Sequence, residues 1–157
     1  MDLINRPRRL RQNDAVRRMC RETRLSPDSL IYPVFVDETL SGKRPIPALD
    51  GQFHHGLDAV DEAVKSCIDA GVGRCILFGL PAKKDAQGSS AWDSKGVVQE
   101  AIRAIKAKYP DFYVITDVCM CEYTDHGHCG ILCGHDVDND KTLEVLSKTA
   151  LSHAEAG

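Results

Sequence analysis

The chain has 157 residues, 43% hydrophobic and 27% charged, with a formal net charge of −3. That length supports one domain with a core rather than two, and the composition is ordinary for a globular protein. The charge gives no general attraction to nucleic acid or anionic membrane, and no apolar run approaches the ~20 residues of a membrane span or follows the start as a signal-peptide core.

Residues 1–24 are read as a basic N-terminal arm that includes the start of a first helix, with eight arginines against three acids. No aromatic residue is interleaved to stack on bases, so the arm is expected to pack on the body or on another subunit. The body spans 25–157. Its first strand is Leu30-Ile-Tyr-Pro-Val-Phe-Val36, a continuous apolar run as in a strand buried on both faces, with Pro33 demoting it to an edge or bulge position. A long loop with Gly42, Pro45, Pro47 and Gly51 follows. A helix then carries Leu57, Val60, Val64, Cys67 and Ile68 on one stripe, with Gly71 as its stop.

The second strand is Arg74–Leu80, ended by Pro81. A polar loop, 82–93, leads to a helix with Val98, Ala101, Ile102 and Ile105 inward and Pro110 as breaker. The third strand is Phe112–Val118. A third helix runs from about Thr142 to Gly157, with Leu143, Leu146, Ala150 and Leu151 facing inward. Strand and helix alternate three times, roughly every 40 residues, which is the rhythm of a parallel α/β sheet. A closed (β/α)8 barrel needs about 250 residues, so three units are either a small open sheet or the front part of a barrel. In both, ligands gather at the carboxyl ends of the strands, where the 82–93 loop and the next segment lie.

That segment, Asp117-Val-Cys-Met-Cys-Glu-Tyr-Thr-Asp-His-Gly-His-Cys-Gly130, places three cysteines and two histidines within fourteen residues. Thiolate sulfur suits zinc, and a structural four-cysteine clip would space its ligands as C-x₂₋₄-C pairs. Cys119, Cys121 and Cys129 make a three-ligand set that leaves a tetrahedral position open. Cys133, His126 or His128 could close it, and a hydrogen-bonding role beside the metal suits the histidines better. A Cys119–Cys121 redox pair is disfavoured by the small ring it would close. Seven cysteines, an odd number with four of them between residues 119 and 133, fit a reducing, cytoplasmic setting better than a disulfide framework.

DVCMCEYTDHGHCGIL resembles the zinc loop of the porphobilinogen synthase (5-aminolevulinate dehydratase) family. The arm RPRRLR, the strand LIYPVFV, and the segments ILFGLPAKKDAQGSSAW, KGVVQEAIRAIK and VDNDKTLEVLSKTALSHAEAG resemble that family in the same order. Pro45–His55 departs most, where the family has a Met-Pro-Gly segment followed by Arg. The resemblance implies the N-terminal portion of a (β/α)8 TIM barrel with an N-terminal arm, about three βα units of it, in a homo-octamer whose arms wrap neighbouring subunits. It implies condensation of two 5-aminolevulinate molecules to porphobilinogen on the way to haem and other tetrapyrroles. Zn2+ is the implied cofactor, with Cys119, Cys121 and Cys129 as ligands, the open position facing substrate and Cys133 outside the ligand set.

Asp117, at the end of the third strand, is suited to hold a substrate amine or shuttle protons, or equally to accept loop N–H bonds. The family's Schiff-base lysines and carboxylate-binding arginines belong to segments beyond residue 157, and no lysine here matches those motifs. Lys83 and Lys84 reach the functional face but are expected to be solvated. The isolated chain is therefore expected to be inactive and, with an uncovered sheet edge and the inward faces of Ile31, Ile76, Phe78 and Val114, to associate. The alternatives are a non-catalytic zinc-binding interaction module and a thiol redox or metal-buffering protein.

Overall fold

The computed structural model describes residues 4–157; residues 1–3 of the expected arm lie outside the described residues. One sheet holds β1 (Tyr32–Asp37), β2 (Lys43–Pro45), β3 (Phe53–His55), β4 (Arg74–Leu80) and β5 (Tyr113–Thr116) in the order β2-β3-β1-β4-β5. β3, β1, β4 and β5 run parallel, and β2 is antiparallel to β3. The helices are α1 (Asp14–Met19), α2 (Val60–Asp69), α3 (Val97–Lys108) and α4 (Asn139–Ala156), and a hairpin of β6 (Ile131–Cys133) and β7 (Asp136–Asp138) precedes α4.

The three expected βα units are present, with the second strand at its expected bounds. β1 begins two residues later than expected, and Leu30 and Ile31 are exposed. Nor is β1 an edge strand: it lies between β3 and β4. Pro33 is tolerated because the β3 ladder touches only Phe35 and Val36, so at Pro33 the strand has a partner on one flank. The loop after β1 folds into β2 and β3, two three-residue strands too short to leave a period.

The arm buries nothing over Pro7–Met19, which forms a 3₁₀ turn and the short α1. In α2 the buried stripe is Val60, Ala63, Val64 and Cys67, while Leu57 and Ile68, expected inward, are exposed. The helix ends in a Schellman cap: Val72 N–H donates to the Cys67 carbonyl at 3.0 Å and Gly71 N–H to Ile68 at 2.8 Å, with Gly71 at φ 78°. α3 buries Val98, Ala101, Ile102 and Ile105 as expected.

α4 starts earlier than expected because Asp138 caps it, accepting the Lys141 N–H at 3.1 Å. Its buried face is also different: Thr142, Val145, Thr149, His153 and Ala156 pack inward, and Leu143, Ala150 and Leu151 are exposed. The side facing α3 and the turn at Ser89–Trp92 is crowded and takes small or hydrogen-bonding residues; Gln99, fully buried, donates to the Ala91 carbonyl and to Ser152 Oγ, each at 2.8 Å.

Val34 and Val36 of β1 and Cys75 and Leu77 of β4 point to the helix-covered face and join α2 and α3 in one core. Val114 packs on that core as well, not on the opposite face where it was expected. The opposite face carries Phe35 stacked on Phe78, with centroids 5.2 Å apart, and the half-buried Ile76.

Candidate metal centre

β1, β4 and β5 end at Asp37, Leu80 and Thr116, and the loops that follow converge over those ends. Asp117 continues β5: its N–H donates to the Leu77 carbonyl at 3.1 Å. Beyond it the chain turns on Met120, whose carbonyl accepts from Tyr123 and Thr124 N–H at 2.9 Å each. Met120, Tyr123 and Thr124 are buried and anchor the loop, which leaves the neighbouring polar side chains free to face the strand ends.

Tyr123 reaches the sheet because position 79 is glycine: a Cβ there would lie 2.6 Å from the tyrosine oxygen and 2.6 Å from Val98. The 82–93 loop is tied alongside by Asp85. Its N–H donates to the Tyr123 carbonyl at 3.3 Å, its carbonyl accepts from Asp125 N–H at 3.2 Å, and its carboxylate accepts Gln87 N–H, Ser89 N–H and the Ser89 hydroxyl.

This anchoring brings three thiols together. Cys119 Sγ lies 3.3 Å from Cys121 Sγ and 3.3 Å from Cys129 Sγ, and all three sulfurs fall within 4.8 Å of one another. Tetrahedral zinc with Zn–S of about 2.3 Å separates its sulfurs by roughly 3.8 Å, so small side-chain rotations would open this set to fit such an ion. Cys133, at the exposed end of β6, is outside the group, and among the described residues no histidine enters it. His126 instead accepts the His128 N–H at 3.1 Å and lies 3.3 Å from the Ala86 carbonyl, while the His128 carbonyl accepts from Thr124 Oγ1 at 2.9 Å. These contacts brace the loop. All seven cysteines are free thiols.

Two carboxylates adjoin the sulfurs. Asp117, Cys119 and Glu122 form a second group with ligand atoms within 4.8 Å, and Glu122 Oε2 lies 3.3 Å from Cys121 Sγ. Burial, and then the Glu122 charge, push the Asp117 carboxyl above its ordinary range. Burial likewise raises the thiols of Cys119 and Cys121. A bound cation would reverse that balance, deprotonating thiols that otherwise resist it. Sequence reasoning passed over Glu122, although its place beside Cys121 was the available signal.

An open cavity of about 450 Å³ lies against this cluster, between Asp37, Thr39 and Leu80 on one side and Cys121 and Glu122 on the other, with Lys84 on its wall. Asp37, also passed over, is buried at the end of β1. Burial opposes its ionisation, but the Thr39 hydroxyl and N–H and the Arg44 guanidinium, 2.9 Å away, outweigh that and hold its carboxyl below the usual range. Lys83 is exposed and Lys84 exposed at the cavity wall.

Comparison with known proteins places this geometry. A family profile described as delta-aminolevulinic acid dehydratase matches residues 4–157. The chain is 54% identical over 155 residues to a delta-aminolevulinic acid dehydratase of Ruminiclostridium josui, covering 99% of this chain and 76% of that protein. It is 50% identical over 152 residues to the protein of that name from Archaeoglobus fulgidus, covering 97% of this chain and 47% of that one. A solved structure of delta-aminolevulinic acid dehydratase (porphobilinogen synthase) from Toxoplasma gondii ME49, in complex with the reaction product porphobilinogen, superposes with a TM-score of 0.93 at 31% identity, covering 99% of this chain and 45% of that chain. Apart from the Ruminiclostridium protein, the chain thus spans about half the length of these relatives.

Proposed function

The chain belongs to the delta-aminolevulinic acid dehydratase family, with the fold of the N-terminal part of that family's (β/α)8 barrel, and from this premise we propose that it supplies the metal-binding half of a zinc-dependent porphobilinogen synthase. The substrate would be 5-aminolevulinate, two molecules of which condense to porphobilinogen in tetrapyrrole synthesis. The observation that carries the reading is the meeting of Cys119, Cys121 and Cys129 sulfurs at the carboxyl end of β5, beside a cavity. Three thiolates and an open side suit a zinc ion that works on substrate, whereas a structural zinc takes a fourth protein ligand. When bound, zinc supplies Lewis acidity and orientation to a substrate oxygen or nitrogen.

The chain's own groups then have distinct tasks. Asp117, whose carboxylate lies beside the Cys119 sulfur and Glu122, would exchange a proton with a substrate amine or hydroxyl. Glu122 sits where it can accept from that amine or from the proton on Asp117. No lysine of the chain matches the family's Schiff-base motifs, so covalent capture of the substrate ketone falls to residues outside these 157, and the chain alone makes no porphobilinogen. We assign residues 1–24 to an arm and 25–157 to the partial barrel, place the protein in the cytoplasm, and expect a homo-oligomer, the family's octamer being the natural assembly.

The test is metal analysis of purified variants together with a turnover assay. The wild-type chain should hold one zinc, any of Cys119→Ser, Cys121→Ser or Cys129→Ser should lose it, and Cys133→Ser should retain it. Porphobilinogen should be absent in every case. Loss of zinc in Cys133→Ser would mean a closed structural site, and turnover by the chain alone would overturn the division of the active site. A non-catalytic zinc-binding module descended from the family would give the same metal result but no activity when the other half is supplied.

A further inference from the structure

A fourth ligand-bearing side chain continues the line of the three thiols. Glu122 Oε2 lies 3.3 Å from Cys121 Sγ, Cys121 Sγ 3.3 Å from Cys119 Sγ, and Cys119 Sγ 3.3 Å from Cys129 Sγ. A Glu122 oxygen also falls within 4.8 Å of Cys119 Sγ and of the Asp117 carboxylate. In a tetrahedral site with Zn–S of about 2.3 Å and Zn–O of about 2.0 Å, sulfur and oxygen ligands stand roughly 3.5 Å apart. The Cys121–Glu122 contact is already close to that spacing.

Nothing else claims this carboxylate. Glu122 is half-buried, and among the described residues it is ion-paired with no lysine, arginine or histidine. The backbone beneath it is held on both sides: Met120, Tyr123 and Thr124 are buried, and Asp85 hydrogen-bonds to Tyr123 and Asp125. Movement at position 122 is therefore confined to the side chain, whose torsions have several staggered wells. They can carry the carboxylate between the sulfurs and the cavity of about 450 Å³ that Glu122 lines together with Lys84. Charge decides how firmly it would stay on a metal. Three thiolates already exceed the charge of a zinc ion, so an anionic fourth ligand is held weakly and yields to a neutral oxygen or nitrogen donor.

We propose, resting on the zinc assignment above, that the Glu122 carboxylate holds the fourth position of the metal until a substrate oxygen or nitrogen displaces it into the cavity. The displaced carboxylate stays beside the incoming group, where it can accept a hydrogen bond from a substrate amine, and Lys84 on the same cavity wall offers it a counter-charge. The class of ligand that opens the site is thus a neutral donor with a lone pair, small enough to enter between Asp37 and Cys121.

The probes are Zn2+, Co2+ as its coloured substitute, and imidazole as a neutral nitrogen donor, added to the 157-residue chain under conditions that keep it dispersed. Chelator competition should find both metals bound about tenfold or more weakly by Glu122→Gln than by wild type. The visible bands of the Co2+ form should shift in the same variant. Imidazole should bind the metal of Glu122→Gln about tenfold more tightly than that of wild type, where it must first displace the carboxylate. Equal metal affinity with an unchanged Co2+ spectrum would overturn the role of Glu122 and leave the three-thiol site standing. A wild-type chain that binds neither metal would overturn the zinc assignment and this role with it. Should Glu122→Gln fail to fold, infrared difference spectra of the wild-type chain labelled with ¹³C-glutamate decide the matter. A carboxylate stretch that shifts on adding Zn2+ and returns on adding imidazole supports the displaceable ligand, and one that stays put at either step overturns it.

Discussion

On one face of β4, Cys75 and Leu77 are fully covered by α2 and α3; on the other, Ile76 and Phe78 are half-buried, with the Phe35 ring stacked on Phe78 as their main cover. Both faces are apolar, and both belong to a strand legible in the sequence from Arg74 to Leu80. The difference is that the helix face is closed by sequence-local elements, each a crossover away, whereas among the described residues the opposite face is only partly covered. A βα unit completes its outer packing as it forms, while the inner packing of a barrel is complete only when the sheet has closed. The three thiols sit at the carboxyl ends of the strands, beside an open cavity bordered by Asp37 and Glu122.

The largest consequence is for the state of the isolated chain. An apolar face of this kind, together with the one-sided β5, should drive association. Light scattering on the chain alone is expected to show oligomers or aggregate, resolving to a defined complex on co-expression with the part of the Archaeoglobus fulgidus dehydratase outside the region matched by this chain. A monodisperse, cooperatively unfolding monomer would break the comparison, because it would mean that the inner face is tolerably solvated as it stands.

A smaller effect sharpens it within single strands. Leu77→Ala removes a side chain from a closed core and should cost about 3 kcal/mol, within the range of 2–5 known for buried leucine. Phe78→Ala, one residue along, removes a larger side chain from a half-open face and should cost only about 1 kcal/mol in the isolated chain. Urea denaturation of the two variants under conditions that keep the chain dispersed measures both. Equal costs would show that the inner face is already packed, by a second copy if by nothing else.

The same asymmetry explains what could be seen in the sequence. β4 and the buried stripe of α3 were legible because both their partners and their periodicity are local. The thiol set was legible because a C-x-C pair followed by Cys129 is a chemical pattern that survives without any knowledge of packing. The buried face of α4 was not: Leu143, Ala150 and Leu151 form an apolar stripe that points away from this sheet, and the residues that do pack inward, Thr142, Thr149 and His153, are polar and succeed through hydrogen bonds. Periodicity finds the most apolar face of a helix, and here that face is not the one that packs on the sheet. β2 and β3 were missed for a different reason, since these three-residue strands are held by the β3 ladders to β1 and to β2 and not by any pattern of their own.

The smallest effect is a pH dependence that separates the closed face from the open one. His55, at the end of β3, and His153, in α4, are both buried, and each is shifted below the ordinary value of 6.5, by burial first and for His55 also by the Lys43 charge. A histidine whose folded pKa lies below its unfolded one takes up its proton in the unfolded chain first. The stability it allows is therefore complete above about pH 6.5 and declines as the pH falls toward the folded value, at no more than about 1.4 kcal/mol per pH unit for each group. Asp37, whose carboxyl is shifted downward, acts in a separate and lower window, contributing above its ordinary 3.8 and losing that contribution only as acid titrates the folded state. Urea midpoints between pH 7.5 and 5 should therefore fall for the wild-type chain, fall less for His153→Gln and for His55→Gln, and least for the double variant. A wild-type midpoint that does not move between pH 7.5 and 5 would show that neither imidazole is held neutral by its burial.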